Sequence, residues 1–217
     1  MNGYTQIQNS FTQCHNGTEG AGGCLAKTAL SLPLGNGRLF TIQGSTQKMN
    51  ANVLWYPPPL PLIPSTSNFL FEYDLIVDSN AANIWARERD IKIVSNKMMF
   101  NFSLQLLKLT SGYELDISDQ TGGWANTGWT IPELEISSIH HFAHIGTWDE
   151  GTGVYSYVGV TIDGTPYSIP AKLQTLKATP LAWPDGFYPQ FQQDLDGAIN
   201  QDLGFSELVT DMNLVAW

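Results

Sequence analysis

Charge is what this chain has least of. Only 14% of its 217 residues are charged, and only three are arginine: Arg38, Arg87 and Arg89. Ten Lys plus Arg stand against twenty Asp plus Glu, a formal net charge of −10. That field repels nucleic acid, anionic membranes and polyanionic polysaccharides, so no nucleic-acid partner is expected. Long hydrophobic runs are missing too: none approaches the ~20 apolar residues that span a bilayer, and no membrane partner is expected. MNGYTQIQNS at the start has neither the basic nor the apolar region of a signal peptide. The expectation is a cytosolic protein, or one whose signal was removed before the numbering begins. Helical periodicity, internal repeats and low-complexity tracts are also lacking.

Cysteine is reduced to two, Cys14 and Cys24, on either side of HNGTEGAGG. Nine intervening residues close into a disulfide loop without difficulty, and neither thiol has another partner in the chain; two free thiols in a reducing compartment are the alternative. The sequons Asn16-Gly17-Thr18 and Asn101-Phe102-Ser103 fit the secretory route, and secretion is the expected localisation.

What the chain does have is alternation. The runs 27-KTALSLPL-34, 38-RLFTIQGS-45, 68-NFLFEYDLIV-77, 97-KMMFNFSLQLLKL-109, 153-GVYSYVGVTIDG-164 and 205-FSELVTDMNLVAW-217 are rich in β-branched and aromatic residues at period two. VGVTI and TPYSI face each other across Asp163-Gly164, a type I′ hairpin signal. Five of the twelve prolines fall in 55-WYPPPLPLIPSTS-67, which predicts a stiff extended loop. Many strands joined by Gly, Pro and Asp turns predict an all-β, two-sheet antiparallel jelly-roll sandwich forming a single domain over 1–217.

The early cysteine pair with GAGG, FLFEYDLIV leading into ARERDIK, then 123-GWANTGW-129, 139-IHHFAHIGTW-148, VGVTIDG and the closing DMNLVAW together resemble the concanavalin A-like jelly-roll domains of secreted microbial proteins. That resemblance implies a scaffold shared by lectins, glycosidases and polysaccharide lyases. It also implies a test for hydrolysis, because glycosidases on this scaffold carry three carboxylates in the pattern E-x-D-x-E. Here Lys92 stands third after Glu88 and Asp90, which speaks against that mechanism.

In 139-IHHFAHIGTW-148, a strand sends His140 and His144 to one face about 13 Å apart and His141 to the other, so the three do not converge on a metal. Calcium at 194-DLDGAINQD-202, through Asp194, Asp196 and Asp202, is the structural-ion candidate; no catalytic cofactor is expected. The odd feature is 83-NIWARERDIKIV-94. Period two puts Trp85, Arg87, Arg89, Ile91 and Ile93 on one face and Ala86, Glu88, Asp90 and Lys92 on the other. A buried guanidinium must be compensated, because it cannot shed its proton. One reading is an edge strand with solvated ion pairs. The other is a pocket in which Arg87 and Arg89 donate to the oxygen of an apolar small molecule, with Trp85, Glu88, Asp90, Trp124, Trp129, His141 and His144 as substrate-binding residues.

On its size, scaffold and arginine-bearing strand the chain is similar to the small fungal hetero-Diels–Alderases that join tropolone quinone methides to a humulene-type terpene. That resemblance implies a cofactor-free cycloaddition catalysed by Arg87 and Arg89 on small-molecule substrates, in a protein able to form a homo-oligomer. The alternatives are a secreted carbohydrate-binding module, in which tryptophans stack on sugars, and a polysaccharide lyase.

Overall fold

Alternation along NFLFEYDLIV becomes β6 (Asn68–Val77), buried at every second position. Five large side chains on one face of a strand require a second layer to cover them. The computed structural model describes residues 4–6, 12–13, 28–43, 52–56, 60–61, 68–79, 84–119, 123–149, 152, 154–195 and 204–217.

Two antiparallel sheets supply the layers. The first runs in the order β14 (Thr165–Ser168), β13 (Val154–Ile162), β12 (Ile139–Asp149), β6, β17 (Gly204–Ala216), β4 (Gly37–Gln43) and β3 (Thr28–Leu34), with β1 (Tyr4–Gln6) also on β17. The second runs β11 (Trp124–Ile131), β10 (Tyr113–Ser118), β9 (Leu104–Lys108), β7 (Ile84–Ser95), β16 (Gly186–Leu195), β5 (Asn52–Tyr56) and β2 (Thr12–Gln13). β8 (Met98–Asn101) joins β7 to β15 (Thr179–Pro180). The helical content among the described residues is α1 (Ala171–Gln174), and no helix there is long and apolar enough to cross a membrane.

Between the sheets lies an aromatic core. Phe69 meets Phe102 edge to face at 4.9 Å, and Tyr73 stacks on Phe142 at 5.2 Å, arrangements that add to the burial of the rings themselves. Asp163 and Gly164 both have positive φ, 50° and 77°, the geometry of the expected I′ hairpin between β13 and β14. A second such turn, unannounced by a glycine, joins β7 to β8 through Asn96 and Lys97, at φ 52° and 61°. The run expected over 97–109 is two consecutive segments in one register, since Phe102 exchanges both backbone hydrogen bonds with Ile91. Trp55 and Tyr56 belong to β5 rather than to the proline loop, and Leu60 of that loop exchanges backbone hydrogen bonds with Phe187. Cys14, Cys24, Asn16, Asp196 and Asp202 lie outside the described residues.

Candidate functional site

β7 is not an edge. It pairs with β9 and β8 on one side and with β16 on the other, so the reading of solvated edge charges fails. Arg87 and Arg89 are 1% and 3% exposed, and with Ile91 and Ile93 they face the first sheet. The group that answers both charges is Glu207 on β17, itself 1% exposed. Arg87 Nε donates to Glu207 Oε1, Arg89 Nη2 donates to Oε2 at 2.8 Å, and Gln193 Nε2 donates to the same oxygen at 2.9 Å. Both guanidiniums also lie over rings, Arg87 over Tyr113 at 5.2 Å and Arg89 over Phe191 at 5.0 Å, where cation–π attraction is strongest because water is excluded.

The expected role of these arginines is therefore corrected. A cycloaddition site would need their donors turned toward a guest's oxygen; instead they converge on an internal carboxylate 118 and 120 residues further along the chain. Burial pushes the Glu207 pKa up, but Arg89, Arg87 and the hydrogen bonds from Gln193 and Arg87 outweigh it and hold the group below its ordinary 4.5. Arg89 does one thing more: its Nη1 donates to the backbone carbonyls of Glu88 at 2.9 Å and Gln192 at 3.2 Å. These two residues are register partners on β7 and β16. From inside the sandwich, Arg89 fastens together the two strands whose other faces look outward.

Next to this ion triad sits His144, fully buried, with Nδ1 at 2.8 Å from the Tyr157 hydroxyl and Nε2 at 3.3 Å from that of Tyr73. Burial, with the positive charge of Arg89, brings its pKa down to about 3, so the ring is a neutral hydrogen-bonded spacer. His140 is also buried, bonded to Asp163 and to the Glu135 carbonyl, whereas His141 is exposed on the opposite side of β12 beside Asp74. The three histidines do not meet, as strand geometry requires.

The outward face of the second sheet carries a different population. Because Arg87, Arg89 and Ile91 point inward, Glu88, Asp90 and Lys92 point out, and cross-strand partners share a face. One row runs straight across four strands: Asp116 on β10, Gln105 on β9, Glu88 on β7 and Gln192 on β16. Gln105 Nε2 donates to Glu88 Oε1 at 3.1 Å, and Gln192 Nε2 donates to Asp194 Oδ1 at 3.3 Å. Beside the row, Asp90 faces Gln190, and Lys92 bridges them: its ammonium donates to Gln190 Oε1 and lies 3.1 Å from Asp90 Oδ2.

Two carboxyls here are crowded together and held toward their neutral forms. Burial raises the Glu88 pKa well above 4.5, and the neighbouring Asp194 and Asp90 raise it further; Asp194 is also raised, mainly by burial. Asp116, shut away from water beside Glu114, titrates at about 6 instead of 3.8. Three side-chain atoms on this face are buried without a partner: Asp90 Oδ1, Asp116 Oδ1 and Gln190 Nε2.

The sequence-predicted site residues thus scatter. Glu88, Asp90 and Trp124 share the outer face of the second sheet, while Arg87, Arg89 and His144 are inside and His141 belongs to the outer face of the first sheet. Trp129 closes the sandwich edge, where its Nε1 donates to the Ser168 carbonyl at 2.9 Å and its ring meets Tyr167 edge to face. Trp85 leaves the arginine face because the register slips there: Asp194 pairs with Ala86 and Leu195 with Ile84, so Ile84 takes the core position and Trp85 is half-buried. Asp194 is the penultimate residue of β16 and points outward from the strand, while its partners in the calcium candidate, Asp196 and Asp202, lie outside the described residues; no group of three metal-ligating side chains occurs among the described residues. The residues missed were Gln105, Asp116, Gln190 and Gln192. The signal for Gln190 and Gln192 was polar period two in 190-QFQQD-194, the same pattern that marked β7; Gln105 and Asp116 carried none of their own.

No protein-family model and no curated protein sequence matches the chain. Solved structures do match in shape. Alginate lyase Aly36B bound to an alginate tetrasaccharide superposes with a TM-score of 0.50 at 11% identity, over 96% of this chain and 97% of that one. The complex of the same lyase with a trisaccharide gives 0.50 at 10%, over 97% and 100%. Family 7 alginate lyase A1-II' with its GGG product gives 0.51 at 7%, over 83% and 80%. At such identities the likeness is one of fold: the chain is a concanavalin A-like jelly-roll β-sandwich.

Proposed function

We propose that the outer face of the second sheet binds an uncharged saccharide chain laid across the strands, and that the protein is a carbohydrate-recognition module. The observation that carries this reading is the row of amide and carboxyl side chains, Asp116, Gln105, Glu88 and Gln192, aligned across four strands of that face. Sugar hydroxyls are donor and acceptor at once and match such a mixed row. Glu88, Asp90, Asp116 and Asp194 crowd the same face, and the ammonium of Lys92 is already engaged by Asp90. An anionic chain is therefore disfavoured there.

A second reading, polysaccharide lyase, is favoured by the neighbouring carboxyls Glu88 and Asp194. β-Elimination needs a base to take a proton and an acid to return one to the leaving oxygen, and Asp194 and Glu88 are two adjacent carboxyls whose pKa values burial raises toward neutral pH. That lyases bound to alginate oligosaccharides share the fold supports it further. A glycan array of neutral and uronate-containing polymers, read beside the absorbance of unsaturated ends, separates the two. Binding to neutral glycans without new absorbance is expected, and a Gln190→Ala, Asp90→Ala variant should lose it. Growth of absorbance on a uronate polymer would establish the lyase, and binding to neither class would overturn both.

A further inference from the structure

The two tryptophans of 123-GWANTGW-129 are five residues apart on one edge strand, an odd spacing that sends them to different sides of the sheet. A register shift between Leu115 and Asp116 preserves that parity: Leu115 pairs with Trp129, Asp116 with Asn126 and Ser118 with Trp124. Two extra residues, Thr127 and Gly128, are accommodated on β11, with Gly128 at φ 87°. The bulge is built, not loose: Thr127 Oγ1 donates to the Leu115 carbonyl at 2.6 Å, and the Gly128 amide donates to Asn126 Oδ1. Tyr113, Leu115 and Ile117 are all in the core, so Asp116 and Ser118 point outward and their partners Asn126 and Trp124 point outward with them. Trp129, opposite Leu115, turns to the sandwich edge and is fixed by Ser168 and Tyr167. Trp124 is left 37% exposed, on the same face as the polar row and three strands from Glu88, roughly 14 Å at the usual interstrand spacing.

We propose that Trp124 is a stacking platform for a pyranose ring at one end of the saccharide chain, so that it sets how long a chain the face recognises. The inference rests on the saccharide reading above and deepens it. An indole presents a broad apolar surface that matches the C–H face of an uncharged sugar ring, while Asn126 beside it offers an amide to the hydroxyls. The row from Gln192 to Asp116 ends at Asn126, so a chain lying along the row arrives at the indole next.

Calorimetric titration with cello-oligosaccharides and laminari-oligosaccharides of two to six units tests this on the intact chain. In the unmodified protein the affinity should rise with chain length in at least one series. Trp124→Ala should remove about a tenfold gain for the longest members, weaken the disaccharide much less than those, and leave the melting temperature unchanged. Trp124→Phe should keep part of the gain. If the length dependence survives Trp124→Ala, or all lengths weaken equally, the stacking subsite is refuted while the saccharide reading stands. If neither series binds the unmodified protein but other neutral glycans do, the same titration on those glycans, by length and with Trp124→Ala, supports or refutes the subsite on the same terms. If no neutral glycan binds, the underlying reading falls and the subsite with it.

Discussion

Replacing Glu207 by glutamine should be among the most damaging single substitutions this protein can suffer. The change keeps size and shape, and it leaves an acceptor for one arginine, so no cavity forms. What it removes is the carboxylate bonded to both Arg87 and Arg89, two guanidiniums that cannot deprotonate and are 1% and 3% exposed. Breaking a buried pair by deleting one member costs about 3–5 kcal/mol. At roughly 2–4 °C per kcal/mol for a domain of this size, the melting temperature should fall by about 6–20 °C. Chemical denaturation should report the same loss as a lower midpoint with an unchanged slope.

A companion variant isolates the cause. Substituting Arg87→Met, Arg89→Met and Glu207→Leu together removes all three charges, and it should cost far less than Glu207→Gln alone, because desolvation of the triad is relieved along with its attraction. The pH dependence gives a third handle. The Glu207 pKa is depressed in the folded state, so its contribution is present above the unfolded value of 4.5 and is lost as pH falls below it. Glu207→Gln should flatten that acid limb. A loss below about 1 kcal/mol for Glu207→Gln, with the acid limb intact, would refute the claim that this carboxylate holds the interior together.

Asp116 gives the opposite pH signature. Its folded pKa of about 6 exceeds the ordinary 3.8, so its contribution is complete below 3.8 and fades as pH rises through 6; Asp116→Asn should reduce the fall in melting temperature over that interval, and an unchanged slope would count against the burial assigned to this carboxyl. Gly146 lies at a register shift in β12, and a Cβ there would meet Phe69 Cζ at 2.6 Å and Phe102 Cε1 at 2.7 Å. Both rings are fully buried, so Gly146→Ala should lower stability by about 1–3 kcal/mol in a urea titration. A neutral result would mean that the aromatic core yields more easily than its packing implies.

Much of the fold was legible because period two is a local signal. β6 begins and ends where the alternation of 68–77 does, and the Asp163-Gly164 hairpin follows from two residues that tolerate positive φ. The site was less legible, for a reason that β7 makes plain. Alternation divides 85–93 into two faces but cannot say which one meets the core when both carry charge. Guanidiniums on one face and carboxylates on the other are equally unsuitable for burial in isolation, and the decision rests with residues that come together only in the folded sandwich.

Glu207 is such a residue. In 205-FSELVTDMNLVAW-217 it reads as one polar position in a closing strand, and nothing nearby in sequence marks it as the counter-ion of a strand 120 residues away. Once it is in place, the assignment of faces is forced: the arginines turn inward, and Glu88, Asp90 and Lys92 have nowhere to go but out. In the proposed reading, the strand that drew attention by its arginines therefore serves recognition through the residues between them. Arg89 links the two roles, because the Nη1 that reaches the carbonyls of Glu88 and Gln192 fixes the spacing of the pair whose side chains form one end of the outer row. A buried charge network of this kind contributes little net stability. Its consequence is geometric: under the proposed saccharide reading it holds the polar face rigid enough to select one arrangement of hydroxyls.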